Sequence, residues 1–375
     1  MKPVSPLSDD FLWGTATSAF QAEGGRLNSN WHAYVERNGL APYGTSADFR
    51  HRYLEDIALA VRLGLNTFRI SVDWARIEPV RGEIDQRELA FYDDLVESVR
   101  GHGLRLMITL DHFVYPEWLG GWDDPATVGA FVRYAGMIVE RYADQCGSWL
   151  IFNEPSVYAM LEFRFRRARV RRMYDHLVRA HRRVYDLIHR ADPRAMVSST
   201  EATANLPRAA RAFADRFFLD RVLDKIDFIA IDYYYQDLGP AGLAHLARSR
   251  PWRVPYRPRG LYRVLRYYAR RYRGLPLVVT ENGMATDNGR PRADGWTRAA
   301  QLAASVYWLQ RARDEGVPVF GYLYWSLTDN YEWGSYRPRF GLYAVDVETD
   351  PQLTRRPTEA VETFRAIIAD GGVVA

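Results

Sequence analysis

Cysteine and lysine are nearly absent from this chain. Cys146 is the one cysteine in 375 residues, and Lys2 and Lys225 are the only lysines among 50 basic residues. A lone cysteine excludes an internal disulfide and fits a reducing compartment, so a cytoplasmic protein is expected. No run of 18 apolar residues occurs, and Met1–Asp10 lacks the apolar segment of a secretory signal, so neither a membrane span nor a leader is expected. Net charge is only +4, without the concentrated positive excess that nucleic-acid binding needs. The 27 glycines and 19 prolines are too few for a fibrous or disordered polymer. No P-loop, dinucleotide fingerprint or His-Glu-x-x-His pattern is present. His176, His181 and His189 share one helical pattern but lack metal-ligand spacing, and are expected at the surface. No metal, cofactor, nucleic-acid or membrane partner is therefore implied.

What the chain does have is a regular alternation. Short runs rich in β-branched and aromatic residues read as buried parallel strands: Phe11–Thr15, Thr67–Ser71, Arg105–Leu110, Ser148–Phe152, Met196–Ser199, Phe228–Asp232, Leu277–Glu281 and Val319–Trp325. Amphipathic patterns follow them, at Asp48–Leu63, Asp85–His102, Thr127–Ala143, Met173–Ala191, Ala209–Val222, Leu261–Tyr272, Trp296–Gly316 and Thr358–Ala369. Gly64, Gly103 and Gly316 stand where helix C-terminal caps are wanted. Eight strand-helix units predict an α/β fold, a (β/α)8 TIM barrel spanning 1–375 as a single domain. No Pro/Gly/Ser-rich linker divides it. The long connections all follow strands, which puts them, and the chemistry, on the C-terminal face.

Two of those strands end in glutamate. Glu154 follows Ile151-Phe152-Asn153, and Glu281 closes Val278-Val279-Thr280. Their spacing corresponds to three intervening units, so they are expected to point into one mouth from strands 4 and 7. Glycoside hydrolysis uses such a pair. A retaining enzyme holds the two carboxyls about 5–5.5 Å apart, and an inverting one about 6.5–9.5 Å to admit water. Asn153 could bond a sugar 2-hydroxyl, and Pro155 is expected to hold Glu154 extended. Each glutamate alone would read more simply as a helix N-terminal charge; two in the same setting favour the paired reading.

The sequence resembles the glycoside hydrolase family 1 β-glycosidases along essentially its whole length. The resemblance is carried by Phe11-Leu12-Trp13-Gly14-Thr15-Ala16-Thr17-Ser18-Ala19-Phe20-Gln21-Ala22-Glu23-Gly24, then Phe68-Arg69-Ile70-Ser71, Asp111-His112-Phe113, Asn153-Glu154-Pro155 and Thr280-Glu281-Asn282-Gly283. It closes with Tyr324-Trp325-Ser326-Leu327-Thr328-Asp329-Asn330-Tyr331-Glu332-Trp333 and Arg339-Phe340-Gly341-Leu342. It implies Glu154 as general acid/base and Glu281 as nucleophile, with Arg69 and Tyr234 supporting the nucleophile. It also implies Gln21, His112, Asn153, Glu332 and Trp333 as binders of sugar hydroxyls, and Trp325 as the platform under the ring. Glu332 would repel a phosphate, which argues against the 6-phospho-glycosidases of the family. Arg69 could instead pair with Asp73 or Glu78. Trp13, Trp31, Trp74, Trp118, Trp122, Trp149 and Trp308 are expected to be packing.

The chain departs from the family pattern in four respects. It is shorter, and an arginine-rich stretch, Glu162–Arg172, replaces the usual loop after strand 4. That stretch is read either as a solvated loop or as an attractor for an anionic leaving group or an acidic partner. Asp232 stands where the family has Asn, so it either perturbs its acidic neighbours or pairs with an arginine. Ile151 replaces a common Thr and is expected to affect packing only. The resulting expectation is a cytoplasmic, cofactor-independent, retaining exo-β-glycosidase for terminal β-D-glycosides: β-glucosides first, with β-galactosides or β-fucosides as alternatives. A transglycosidase of the same family and a non-hydrolytic sugar-binding scaffold are the rival readings.

Overall fold

The computed structural model describes residues 3–25, 27–204, 206–234, 240–248 and 250–374, with backbone alone at 240, 241, 243 and 247. Every expected strand forms. They are β1 (Leu12–Ala16), β2 (Thr67–Ser71), β3 (Arg105–Asp111), β4 (Ser148–Phe152), β5 (Met196–Ser198), β6 (Thr200–Thr203), β7 (Ile229–Tyr233), β8 (Leu277–Asn282) and β9 (Val319–Trp325). All pair in parallel, in the order β5-β4-β3-β2-β1-β9-β8-β7-β6. The two ends of that order are separated along the chain by Ser199 alone. The nine strands are thus eight staves of a nearly closed (β/α)8 barrel, with the fifth stave, expected as unbroken Met196–Ser199, interrupted at its last residue.

Side-chain alternation divides the core. Phe68 and Ile70 of β2 join the apolar layer beneath the helices, and Arg69 between them reaches across the barrel to β8. The barrel interior holds a separate cluster of Met107, Leu150, Phe228, Ala230, Val278 and Leu323. Eight outer helical segments match the expected patterns to within a few residues, the fifth as two pieces, Arg208–Asp215 and Leu219–Val222. Their ends are set by local chemistry. The Asp85 side chain caps Arg87 N–H at 2.9 Å and Thr297 caps Ala300 N–H at 3.1 Å. Gly64, Gly103 and Gly316 take φ of +82°, +76° and +83° just past helix ends, a conformation that would strain any side chain. No helix among the described residues is long and apolar enough to cross a membrane.

Two expectations need correction. The segment after β4 is mostly helix, Pro155–Arg166, with Arg167 in the left-handed conformation ending it before the next helix, Val170–Ala191. Pro155 at the first helical position starts it at no hydrogen-bond cost. Within it Arg166 is structural: it bonds Glu162 at 2.8 Å, and the buried Glu162 also accepts from Tyr115. His176 and His181 are buried rather than at the surface, and His189 is partly buried against Asp227. The helix Val170–Ala191 buries the stripe Met173, Leu177, Ala180, Val184 and Ile188, and His181 lies on it.

Arg355 ties the C-terminal segment to the helix Phe49–Arg62. Its guanidinium grips Asp56 at 2.8 and 3.0 Å, with both side chains at most 1% exposed. Truncating one partner strands the other charge, so Arg355→Ala is expected to cost about 3–5 kcal/mol. Urea denaturation would show this as a lower midpoint at unchanged slope.

Candidate active site

The fourth and fifth staves set the position of Glu154. Where β5 stops, side chains replace backbone partners: Phe152 N–H donates to Ser199 Oγ at 3.0 Å, and Glu154 N–H to Thr200 Oγ1 at 2.9 Å. His181 stands behind Ser199. Its Nε2 is 2.8 Å from the Lys225 carbonyl, which can only accept, and its Nδ1 is 2.9 Å from Ser199 Oγ. Burial pushes its pKa down to about 4, so the ring is neutral, with the proton on Nε2 and Nδ1 accepting from the serine. Glu154 itself is not extended, contrary to the expectation from Pro155. Its φ of 40° and ψ of 66° are left-handed. Proline disfavours the right-handed helical region at the residue before it, and the chain must still turn from strand into helix at this point. Such a conformation costs on the order of 1–3 kcal/mol and is typical of functional turns.

Glu281 projects from β8 and is almost wholly buried. Its Oε1 accepts from Arg69 Nη1 at 2.5 Å, and its Oε2 from the Tyr234 hydroxyl at 2.5 Å. Arg69 makes no ion pair with Asp73 or Glu78; it bonds Thr109 Oγ1 at 2.9 Å and Asn153 Oδ1 at 2.5 Å. Asn153 Oδ1 also accepts from Thr200 at 3.2 Å, which leaves the Asn153 amide hydrogens for a ligand. One carboxyl oxygen each of Glu154, Glu281 and Asp232 lie within 4.8 Å of one another. The two glutamates therefore converge on one gap.

Electrostatics separates the two. Burial raises the pKa of both, and the Asp232 and Glu281 charges push Glu154 well above the carboxylate range. Against burial, Glu281 has the Arg69 cation and the Tyr234 hydroxyl directly on its oxygens. Glu281 is therefore the first to ionise and Glu154 holds its proton. Among the described residues, the three carboxyls are the one group with spacing suited to a metal ion. The Glu281 oxygens, however, already face a cation and a hydroxyl, so the set is better suited to proton transfer and nucleophilic displacement than to a metal ion.

The other expected binders surround the same mouth. Trp325 is buried, donates from Nε1 to Glu332 Oε1 at 3.2 Å, and lies 5.9 Å from the His112 ring. Burial lifts the Glu332 carboxyl to about 8, aided by Glu281 and Asp329 and opposed by its bonds to Trp325 and Gln21. Trp333 lies 6.1 Å from His112 and 5.2 Å from Phe113. Gln21 Oε1 and His112 Nδ1 are buried polar atoms with no partner. Burial, then Arg69, hold His112 far below its ordinary pKa, so it meets a ligand neutral. Thr200, Thr280, Asn330 and Ser199, which the sequence does not single out, belong to the site as well, and so does His181, expected at the surface.

The model for glycosyl hydrolase family 1 matches residues 4–207 and 242–373. The chain belongs to this family. It is a glycoside hydrolase, and the family 1 barrel accounts for its fold. Beta-glucosidase A of Thermotoga maritima is 26% identical, over 94% of this chain and 96% of its own length. The chloroplastic galactolipid galactosyltransferase SFR2 of Arabidopsis thaliana, a longer protein, is 30% identical over 85% of this chain and 57% of its own length. The solved beta-glucosidase from Thermotoga maritima in complex with deoxynojirimycin superposes with a TM-score of 0.83 at 24% identity, covering 99% of this chain and 100% of that one; at that identity it speaks to fold. Ile151, which departs from the family pattern, is a fully buried strand residue in the apolar layer.

Proposed function

We propose that this chain is a retaining exo-β-glycosidase that cleaves terminal β-D-glycosides, β-glucosides ahead of β-galactosides and β-fucosides. One observation carries the reading: Glu154 and Glu281 bring carboxyl oxygens within 4.8 Å, short of the roughly 6.5–9.5 Å separation by which an inverting enzyme fits both substrate and attacking water between its carboxyls. In the first step a Glu281 oxygen bonds the anomeric carbon. The glycosidic C–O bond breaks, and Glu154 passes its proton to the leaving oxygen. In the second step Glu154, now a carboxylate, takes a proton from water as that water displaces Glu281. Gln21, His112, Asn153, Glu332 and Trp333 hold the hydroxyls, and Trp325 covers the apolar face of the ring. We read 1–375 as one catalytic unit that needs no cofactor.

The test is stereochemical. Proton NMR of the first sugar released from an aryl β-glucoside should show the β-anomer, with the α-anomer appearing only by later mutarotation. An initial α-anomer would mean inversion, and the reading would be wrong. The likeness to a galactosyltransferase supports a second outcome, transfer of the sugar from the same intermediate to an alcohol. An added acceptor decides this by the ratio of new glycoside to free sugar.

A further inference from the structure

We propose that Asp232 is a functional third carboxyl, a positioning residue that sets the alkaline limit of turnover by holding the proton on Glu154. The inference rests on the double-displacement reading above and adds a group to it. Asp232 ends the inward-facing row of β7, where Ala230 joins the barrel interior and Ile229, Ile231 and Tyr233 join the outer layer. It is 1% exposed. Its Oδ1 accepts from the Thr280 hydroxyl at 2.6 Å, and its Oδ2 has no partner. No arginine among the described residues lies within ion-pair distance, so the alternative of an Asp232–Arg pair does not hold.

The neighbours of Asp232 fix the sign of its effect. From β8 it faces Glu281, from the end of β4 Glu154, from β2 the Arg69 guanidinium, and from its own strand end Tyr234; Glu201 of β6 acts at longer range. Three carboxyl groups thus share one cation, and Glu281 holds that cation directly. Two protons remain on Glu154 and Asp232. Burial first, then the Glu281 charge, lift Asp232 to about 8, while the Arg69 cation and the Thr280 hydroxyl favour its anion. Asp232 therefore ionises before Glu154 as pH rises, and its new charge makes the second proton harder to remove. An asparagine here would keep the shape and the Thr280 bond but add no charge. At 4.8 Å and an effective dielectric of about 20, one charge moves a neighbouring proton equilibrium by more than a unit.

The experiment compares wild type with Asp232→Asn. For a phenyl glycoside, whose poor leaving group needs the acid, the alkaline limb of kcat/KM should fall by about one pH unit or more in the variant. The acid limb should stay in place, because Asp232 is uncharged there. For a 2,4-dinitrophenyl glycoside, which departs without a proton, the alkaline limbs should coincide. Superimposable phenyl-glycoside profiles would overturn the proposal. A second measurement does not require turnover: carbon-13 titration of the Glu154 carboxyl, assigned against Glu154→Gln. Its midpoint should drop in Asp232→Asn, and an unmoved midpoint overturns the proposal. A shifted midpoint in a protein that hydrolyses nothing would support it and count against the hydrolase reading alone.

Discussion

Replacing Glu281 with Gln is expected to lower kcat by about 10⁵-fold or more, the scale on which loss of a catalytic nucleophile acts. That corresponds to about 7 kcal/mol of transition-state stabilisation. The amide is nearly the same size, so shape is kept while the charge and the nucleophilic oxygen are lost. Covalent labelling by a 2-deoxy-2-fluoro glycoside, read by mass spectrometry, should vanish with it. The change also leaves Arg69 buried without its anion, which is expected to cost on the order of 3–5 kcal/mol of stability. Activity and folding must therefore be read separately, and Glu281→Asp separates them. The shorter side chain keeps the negative charge for Arg69 but withdraws the oxygen by about one bond length, and a misplacement of about 1 Å is worth about 100-fold. Loss of activity in Gln, partial loss in Asp, and near-native stability in Asp is the pattern that assigns Glu281 as nucleophile. Turnover in Glu281→Gln at the wild-type rate would remove the nucleophile altogether.

Much of this arrangement is legible before any coordinates. The period of two along β7 already turns Asp232 inward, since Ile229, Ile231 and Tyr233 take the outer face. The same alternation turns Arg69 inward between Phe68 and Ile70. His181 was legible too. It falls four residues after Leu177 and three before Val184, on the buried stripe of its helix, but the surrounding arginines make that helix read as solvent-facing. Other features depend on distances across the barrel that no local pattern encodes. That Arg69 bonds Asn153 and Glu281 together follows from where three different strands converge. The break at Ser199 and the left-handed Glu154 are linked consequences of one turn leaving the sheet, visible only when the side chains that replace the ladder are seen. The helix Pro155–Arg166 was hidden by its own weak amphipathicity, with Met160 and Phe163 exposed among its arginines.

Replacing Glu154 should have an effect that depends on the leaving group, and this dependence is what distinguishes an acid/base from a merely structural residue. In Glu154→Gln, kcat/KM for a phenyl glycoside should fall about 10²–10⁴-fold, the usual contribution of general acid catalysis. For a 2,4-dinitrophenyl glycoside the first step should proceed nearly as before, because that phenolate leaves unaided. Its glycosyl-enzyme should then accumulate, since no carboxylate remains to deprotonate water, and a burst of phenolate should precede a slow steady state. Truncation to Glu154→Ala opens space beside the intermediate. Azide, which needs no deprotonation, should restore turnover there and leave a β-glycosyl azide. The pH dependence follows from the same charges. Burial, Asp232 and Glu281 hold the Glu154 proton well above the carboxylate range, so the alkaline limb of the wild-type profile belongs to Glu154 and should be absent from Glu154→Gln. The Ser199 and Thr200 hydroxyls hold this turn by its backbone, at Phe152 and Glu154. Loss of either hydroxyl would displace the carboxyl without changing its chemistry, lowering rates for both leaving groups together. Equal losses for the two glycosides in Glu154→Gln itself would therefore assign Glu154 to the scaffold and leave the proton donor to be sought elsewhere.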